Sequence, residues 1–344
     1  MDFLFLDRQR LLSDALSTMN RFFLPFAKFT LITVYLVIVA GSVVRTTGSG
    51  MGCPDWPRCF GKWVPPTDES QLPPNYHEVY HDRGYADTSF NVYHTWTEYL
   101  NRLLGAMLGF FVFILFVLSL QFRNNNKSIT YLCGTSVLLT GFQGWLGALV
   151  VTSNLAPLKI TLHMVVALSI VALLVYVVQK SLTPFGRQRL AEGEANPSPK
   201  TEGSRKIKIT LIICLLFTVI QILIGTKVRE KIDTVSYSMD YEFREKWIGL
   251  IGEYLDVHRI FAALIIGVNF YVLTKLKKSV SASDVTLKYT KLSVTFLFLE
   301  FLFGLILTYF AFPAFVQPLH LLMATIIFGA QFYALITYHK NEQL

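Results

Sequence analysis

The chain has 344 residues, of which 53% are hydrophobic and 16% are charged. This composition excludes an ordinary soluble domain and is typical of an integral membrane protein. The 31 Lys and Arg residues outnumber the 23 Asp and Glu residues, which gives a formal net charge of +8. Most of these cations lie in loops and tails on one side of the predicted spans. The excess charge therefore indicates membrane orientation and no nucleic-acid partner.

A spanning helix needs about 20 apolar residues. In chain order, eight such stretches are predicted at 26–44, 99–122, 131–152, 160–179, 208–227, 256–274, 291–311 and 318–337. Basic residues gather at both ends of the chain and in the loops that face the same side. The positive-inside rule therefore predicts that the N and C termini both lie in the cytoplasm.

The predicted fold is an all-α integral membrane protein with eight transmembrane helices in two tandem four-helix bundles. A connection rich in Pro, Gly, Ser and charge predicts a flexible linker between them. In order, the predicted segments are a cytoplasmic amphipathic segment (1–25), a first bundle with a large outer loop (26–180), the cytoplasmic linker (181–207), a second bundle (208–337) and a cytoplasmic tail (338–344).

An internal repeat relates the two predicted bundles. Residues 101 and 163 open the second and fourth helices, and residues 258 and 320 open the sixth and eighth, with 62 residues between the members of each pair. The offset of 157 residues between the pairs also aligns Gly147 with Gly304. Because each half has an even number of helices, the sequence predicts a pseudo-two-fold axis along the membrane normal.

Three histidines, His163, His258 and His320, stand at the predicted outer ends of helices. His258 and His320 are matched in depth on two helices of one bundle, and paired imidazoles across a bundle core are a common way to hold haem. Zinc is the alternative, but it would need a third or fourth ligand, and Asp256 alone does not complete that set. Arg259 follows His258 and could contact a haem propionate.

The first half differs, because Asn101 takes the position that matches His258. Asn is a poor iron ligand, so His163 would be the one strong protein ligand there and the other face of the iron would stay open. Glu98 lies on the same helical face as Asn101, whereas the matching position in the second half is Leu255. Glu98 is therefore a candidate functional carboxylate, and the alternative is an interfacial acid paired with Arg102.

Two of the four cysteines, Cys53 and Cys59, flank the sequence "PDWPR" in the outer loop. An oxidising outer compartment would allow them to form a disulfide. The pair could be redox-active or a structural link, and the sequence leaves both open. Cys133 and Cys214 are isolated in apolar helices, where we expect them to pack as small hydrophobic residues.

The motif "VVRTTGSGMGCPDWPRCFGKW", the helix start "EYLNR" and the three helix-end histidines together resemble the haem A synthase family of the bacterial, cysteine-containing type. The resemblance covers about residues 26–337. It implies oxidation of the C8 methyl group of haem O to a formyl group by successive hydroxylations, for cytochrome oxidase assembly. It also implies the bacterial cytoplasmic membrane as the location.

The same resemblance implies roles for particular residues in each half. Haem b would be the cofactor on His258 and His320, haem O would be the substrate with His163 as one ligand, and Glu98 would match the family's essential carboxylate. Asn101 departs from the family pattern, which has His there. Arg102 and Arg259 are predicted propionate contacts, and Asn101 is a predicted contact of the substrate haem.

The expected partners are haem O, the enzyme that produces it, cytochrome oxidase assembly and the lipid bilayer. The sequence names no electron acceptor and leaves a homo-oligomer open. The sequence is also compatible with two other functions: a transmembrane b-type cytochrome, which would need haem ligands at two depths, and a haem carrier without chemistry.

Overall fold

The protein is described by a computed structural model that covers residues 2–86, 88–191, 202–279 and 283–341, with side chains described for 21–86, 88–182, 202–279 and 283–338. The helices are α1 Asp2–Thr46, α2 Tyr76–Val79, α3 Val92–Ser119, α4 Lys127–Thr152, α5 Pro157–Ala191, α6 Glu202–Ser238, α7 Arg244–Leu250, α8 Glu253–Lys277, α9 Asp284–Tyr309 and α10 Val316–Asn341. Within the described ranges the chain forms no β-strand.

Eight of these helices are long and apolar enough to cross a membrane, which confirms the eight predicted spans. In chain order they are α1, α3, α4, α5, α6, α8, α9 and α10. Local sequence explains where two of them begin. The side chain of Asn91 accepts a hydrogen bond from the His94 amide and caps α3, and Ser283 does the same for Thr286 at the start of α9. Such caps satisfy amide groups that a helix start leaves free.

The helices form two closed rings of neighbours. In the first, α1 packs on α3 and α5, and α4 packs between α3 and α5. In the second, α6 packs on α8 and α10, and α9 packs between α8 and α10. The two rings meet where α10 contacts α1 and α5.

Buried polar pairs join helices inside the second ring. The Gln331 amide donates to Asn269 Oδ1 at 3.0 Å and ties α10 to α8, while the Thr286 and Thr337 hydroxyls lie 3.1 Å apart between α9 and α10. In a bilayer, where apolar packing gives no net drive against lipid, each such pair contributes about 0.6 kcal/mol to association. These contacts fix which helices are neighbours and therefore which helix ends meet.

The two rings also match in detail. Shifted by 157 residues, the bounds of α4, Lys127–Thr152, coincide with those of α9, Asp284–Tyr309. The turns that follow each contain two consecutive non-glycine residues with positive φ, Asn154 and Leu155 in one ring and Ala311 and Phe312 in the other. Left-handed backbone is uncommon outside glycine, so the coincidence is a specific shared feature.

Several helix boundaries differ from those predicted. α1 continues through Pro25 without a break, so the backbone shows no boundary at residue 25. α5 runs to Ala191 and α6 begins at Glu202, so both ends of the predicted linker are helical and its centre, 192–201, lies outside the described residues.

α6 also extends to Ser238, beyond its predicted end at residue 227. A hydropathy pattern predicts the end of a span where the apolar residues end. The helix continues further because charged side chains in its last turns form ion pairs with one another. Arg229 lies 2.9 Å from Asp233 and Lys227 lies 2.8 Å from Glu230, within one helical turn in each case. Spacings of three and four residues bring such pairs together on a helix.

Candidate functional site

Each of the four predicted helix-end residues faces a glycine on a neighbouring helix. A Cβ atom placed on that glycine would lie within 3.3–3.8 Å of the facing side chain. The facing pairs are Asn101 with Gly41, His163 with Gly147, His258 with Gly225 and His320 with Gly304. The glycines therefore leave room for four polar side chains between helices, and the predicted alignment of Gly147 with Gly304 has this physical reason.

These side chains also share a buried polar atom that has no hydrogen-bond partner in the described part of the chain. Asn101 Oδ1 and the Nδ1 atoms of His163, His258 and His320 are buried and make no hydrogen bond to any described residue. Buried polar atoms are nearly always paired in folded proteins. His320 Nδ1 has Glu300 Oε1 as an ion-pair neighbour at 3.2 Å, so the atoms of this set with no polar neighbour among the described residues are Asn101 Oδ1 and Nδ1 of His163 and His258, which a bound polar group could complete.

His258 and His320 are brought together as predicted. Their ring centroids are 6.4 Å apart and the ring planes make an angle of 64°. Two metal–imidazole bonds of about 2 Å each, end to end and extended by the half-width of each ring, span about this distance. The residues present therefore fit one iron ion held between two imidazoles. Among the described residues there is no cluster of three or more His, Cys, Asp or Glu that could hold a metal.

Glu98 lies on α3 and is almost fully buried, at 3% exposure. Its carboxylate contacts the loop that carries Cys53. Its Oε2 accepts a hydrogen bond from the Cys53 amide at 2.8 Å, and its Oε1 lies 2.5 Å from Arg102 Nη2. The predicted pairing with Arg102 is therefore present, and it comes with a direct link to the disulfide loop. Burial raises the pKa of the nearby Tyr85 phenol, and the Glu98 charge adds to that rise.

Arg102 uses its whole guanidinium group in this loop. Besides Glu98, it donates to the backbone carbonyls of Cys53, Asp55 and Arg58 at 2.9, 2.6 and 3.0 Å. Together with the two bonds to Glu98 these contacts account for all five N–H donors. The structure thus gives Arg102 a loop-anchoring role, and no donor is left for the predicted propionate contact.

Arg259 keeps more freedom. Its side chain is 46% exposed, with an ion-pair contact to Asp256 at 3.5 Å and a long contact to the Thr308 hydroxyl at 3.4 Å. A guanidinium group with such weak partners beside His258 can still receive a carboxylate. Its propionate role stays a prediction.

Cys53 and Cys59 are joined by a disulfide bond, with their Cα atoms 4.8 Å apart. Both are fully buried in a small loop core in which the Phe60 ring packs on Tyr76, Tyr80 and Tyr85. The loop sits directly on α3, because a Cβ atom on Gly52 would lie 2.3 Å from the His94 carbonyl oxygen. Cys133 and Cys214 are free and buried, in line with the predicted packing role.

The disulfide carries a prediction of its own. Mass mapping without reduction should join the peptides of Cys53 and Cys59 in protein from an oxidising compartment. Cys53→Ser should keep the helical content, because the loop lies outside the bundles and its amide to Glu98 remains. The loop itself should lose about 2 kcal/mol of stability, visible as faster proteolysis there. Two free thiols in freshly isolated membranes would contradict the assignment.

Sequence reasoning missed two features near the site. Glu300 on α9 lies 3.2 Å from His320, between Oε1 and Nδ1. Asp233 on α6 is shared by Arg45 at 2.7 Å and Arg229 at 2.9 Å, so it ties the two rings together at one end. A carboxylate within the apolar run "VTFLFLEFLFGLIL" was the available signal for Glu300, since such groups are costly in lipid.

Within the described residues, the fold and the site define a helical protein with eight helices long and apolar enough to cross a membrane, two neighbouring imidazoles in one ring and a buried carboxylate in the other. The chain belongs to the COX15-CtaA family of cytochrome oxidase assembly proteins, whose match covers residues 26–332.

Curated relatives of this chain carry the name heme A synthase. The protein of Flavobacterium johnsoniae is 24% identical over 335 residues, covering 88% of this chain and 94% of the relative. That of Flavobacterium psychrophilum is 23% identical over 338 residues, covering 89% and 95%. That of Shewanella oneidensis is 32% identical over 148 residues, which is 43% of this chain and 42% of the relative.

Proposed function

We propose that this protein is a haem A synthase, which oxidises the C8 methyl group of haem O to a formyl group by successive hydroxylations. The observation that carries the proposal is the difference between two otherwise matched halves. The second half has two imidazoles 6.4 Å apart. The first half has one imidazole, an amide in place of the other, and the buried carboxylate of Glu98. The second half is suited to bind a haem as a cofactor, and the first half is suited to oxidise a haem as a substrate.

The second half is the proposed haem b site, with His258 and His320 as axial ligands and Arg259 near the propionates. The distance between the two imidazole rings and the facing glycines Gly225 and Gly304 support this assignment. When bound, the iron supplies one-electron redox chemistry. The chain's part is to hold both imidazoles at one depth, where they would be the two protein ligands of a haem iron.

The first half is the proposed substrate site. His163 would bind one face of the haem O iron, and Asn101 would stand over the other without closing it. The amide oxygen of Asn101 is buried and unpaired, so it can accept a hydrogen bond from water or from the haem edge. This arrangement holds the substrate by one strong ligand and leaves it exchangeable.

Glu98 is the proposed catalytic carboxylate. Oxidation of the methyl group develops positive charge on carbon, and a nearby carboxylate stabilises that charge and accepts a proton from attacking water. Its contacts with Arg102 and the Cys53 amide fix its orientation. They also connect the carboxylate to the disulfide, so the loop that carries Cys53 can set the position of Glu98.

The architecture completes the proposal. The two rings arose by duplication and are related by an axis along the membrane normal. The coincident bounds of α4 and α9 and the paired left-handed turns support this relation. The proposed location is the bacterial cytoplasmic membrane with both termini inside. The proposed partners are haem O, the enzyme that makes it, and cytochrome oxidase assembly, and a homo-oligomer stays open.

The test is co-expression with a source of haem O, followed by extraction, chromatography and mass spectrometry of the haems. We expect the alcohol and aldehyde forms of haem O, in amounts that depend on this protein. Unchanged haem O bound to the protein would indicate a carrier, and haem b alone with reversible redox chemistry would indicate an electron-transfer cytochrome. Either result would overturn the enzyme assignment.

A further inference from the structure

The histidines at the helix ends differ in what the neighbouring helix offers them. His163 and His258 each accept a hydrogen bond at the backbone carbonyl, from the side-chain amides of Gln143 and Gln221, at 3.0 Å in both cases. The remaining amide oxygens, Oε1 of Gln143 and of Gln221, have no partner among the described residues. Both histidines therefore stand beside a neutral amide.

His320 stands beside a carboxylate instead. Its Nδ1 lies 3.2 Å from Glu300 Oε1, and the two side chains are only 25% and 17% exposed. The contact is within ion-pair distance, although it does not meet hydrogen-bond geometry, and Oε2 of Glu300 has no partner among the described residues. A modest rotation of the imidazole ring would align the Nδ1–H with the carboxylate.

The repeat shows that this carboxylate belongs to one half. Shifted by 157 residues, Glu300 on α9 falls on Gln143 on α4, and the two helices have coincident bounds. The two side chains are of equal length and each lies beside the histidine of the next helix, His320 or His163. The halves therefore differ at this position in charge and in the atom that is contacted, which is the imidazole of His320 in one half and the backbone carbonyl of His163 in the other.

We propose that Glu300 is a positioning residue that makes the second half retain its haem, whereas Gln143 leaves the haem of the first half exchangeable. The inference rests on the proposed haem sites. The Glu300 carboxylate accepts the Nδ1–H of His320, which fixes the tautomer and turns Nε2 toward the iron. A histidine ligand held in this way is a stronger donor, and losing the partner typically weakens metal binding about 10- to 100-fold.

A carboxylate behind the ligand also favours the more positively charged iron. Ferric haem is stabilised over ferrous haem, and removing the negative charge should therefore raise the reduction potential. A tenfold change in that preference corresponds to about 59 mV for a one-electron couple. A residue that merely packed α9 against α10 would have no such effect on the potential.

The test compares purified wild-type protein with Glu300→Gln, by haem b content and by redox titration of the low-spin spectrum. Glu300→Gln is expected to raise the potential by about 59 mV, for a tenfold change in preference, and to lose haem b about 10-fold faster to an excess of apomyoglobin. Ser293→Ala is the matched control, because it removes a buried hydroxyl two turns away on the same helix. It should leave both measurements unchanged.

The reverse exchange keeps the proposal testable if Glu300→Gln fails to fold. Gln143→Glu should make bound haem O leave the first half about 10-fold more slowly, measured by the same transfer to apomyoglobin. Wild-type potential and haem retention in folded Glu300→Gln, or unchanged haem O release in Gln143→Glu, would overturn the inference while leaving the haem sites intact. A wild-type protein without haem b would overturn the cofactor assignment and this inference with it.

Discussion

Glu98→Gln is expected to keep the haem spectrum of the second half, to bind haem O and to lose haem A formation. Gln has nearly the same shape and can still accept the hydrogen bond from the Cys53 amide, but it has no negative charge and cannot take up a proton. A positioned proton acceptor contributes a factor of about 10² to 10⁴ in rate. The measurement is haem A formed per unit of protein, by chromatography of extracted haems.

Two variants separate chemistry from loop anchoring. Arg102→Lys keeps a cation beside Glu98 but loses most of the contacts to the loop carbonyls. If Glu98 served only to anchor the loop, both substitutions would lower the rate alike, whereas a catalytic carboxylate makes Glu98→Gln much the worse. Asn101→His, one turn along α3, is the second comparison and should be tolerated because it restores the pattern of the second half. Wild-type haem A production by Glu98→Gln would rule out the catalytic role.

His258→Ala and His320→Ala should each abolish or convert the low-spin spectrum of haem b. Both imidazoles are needed for a six-coordinate low-spin iron, and alanine leaves one axial position empty. Each variant removes a side chain that fits beside a glycine, Gly225 or Gly304. The helices therefore need not move to fill the space, and the eight-helix fold should be kept.

The check is an absorption spectrum of purified protein together with its haem content. Asn269→Ala, which cuts the buried contact between α8 and α10 further along the helix, controls for general damage to the bundle and should keep the low-spin bands. If the double variant His258→Ala/His320→Ala had a normal low-spin b spectrum, iron would be bound elsewhere and the assignment would be wrong.

Much of the fold was accessible from sequence because lipid imposes a simple rule. A spanning helix must be apolar over its length, and all eight predicted spans are present. The predicted repeat stays a prediction, and the glycines that it aligns, Gly147 and Gly304, lie opposite His163 and His320. The disulfide also followed from two cysteines in one short outer loop.

The features that were missed required side-chain geometry. Glu300 aligns with Gln143, so a search for identical residues in the two halves passes over it. The sequence places Arg102 at a helix start, whereas α3 begins at Val92 and the five donors of Arg102 turn to Glu98 and the loop, which only the folded loop reveals. The extension of α6 depends on ion pairs such as Arg229 with Asp233, which a hydropathy pattern cannot register.

The central claim is a division of labour, with a resident haem b in the second half and substrate haem O in the first. The most direct measurement is haem identity and content, by mass spectrometry, of protein purified after co-expression with a haem O source, for wild type, His163→Ala and His258→Ala. We predict that wild type holds both haems, that His163→Ala loses haem O and keeps haem b, and that His258→Ala loses haem b. Loss of the same haem from both variants would contradict the account, because it would place one haem between the halves and leave no separate substrate site.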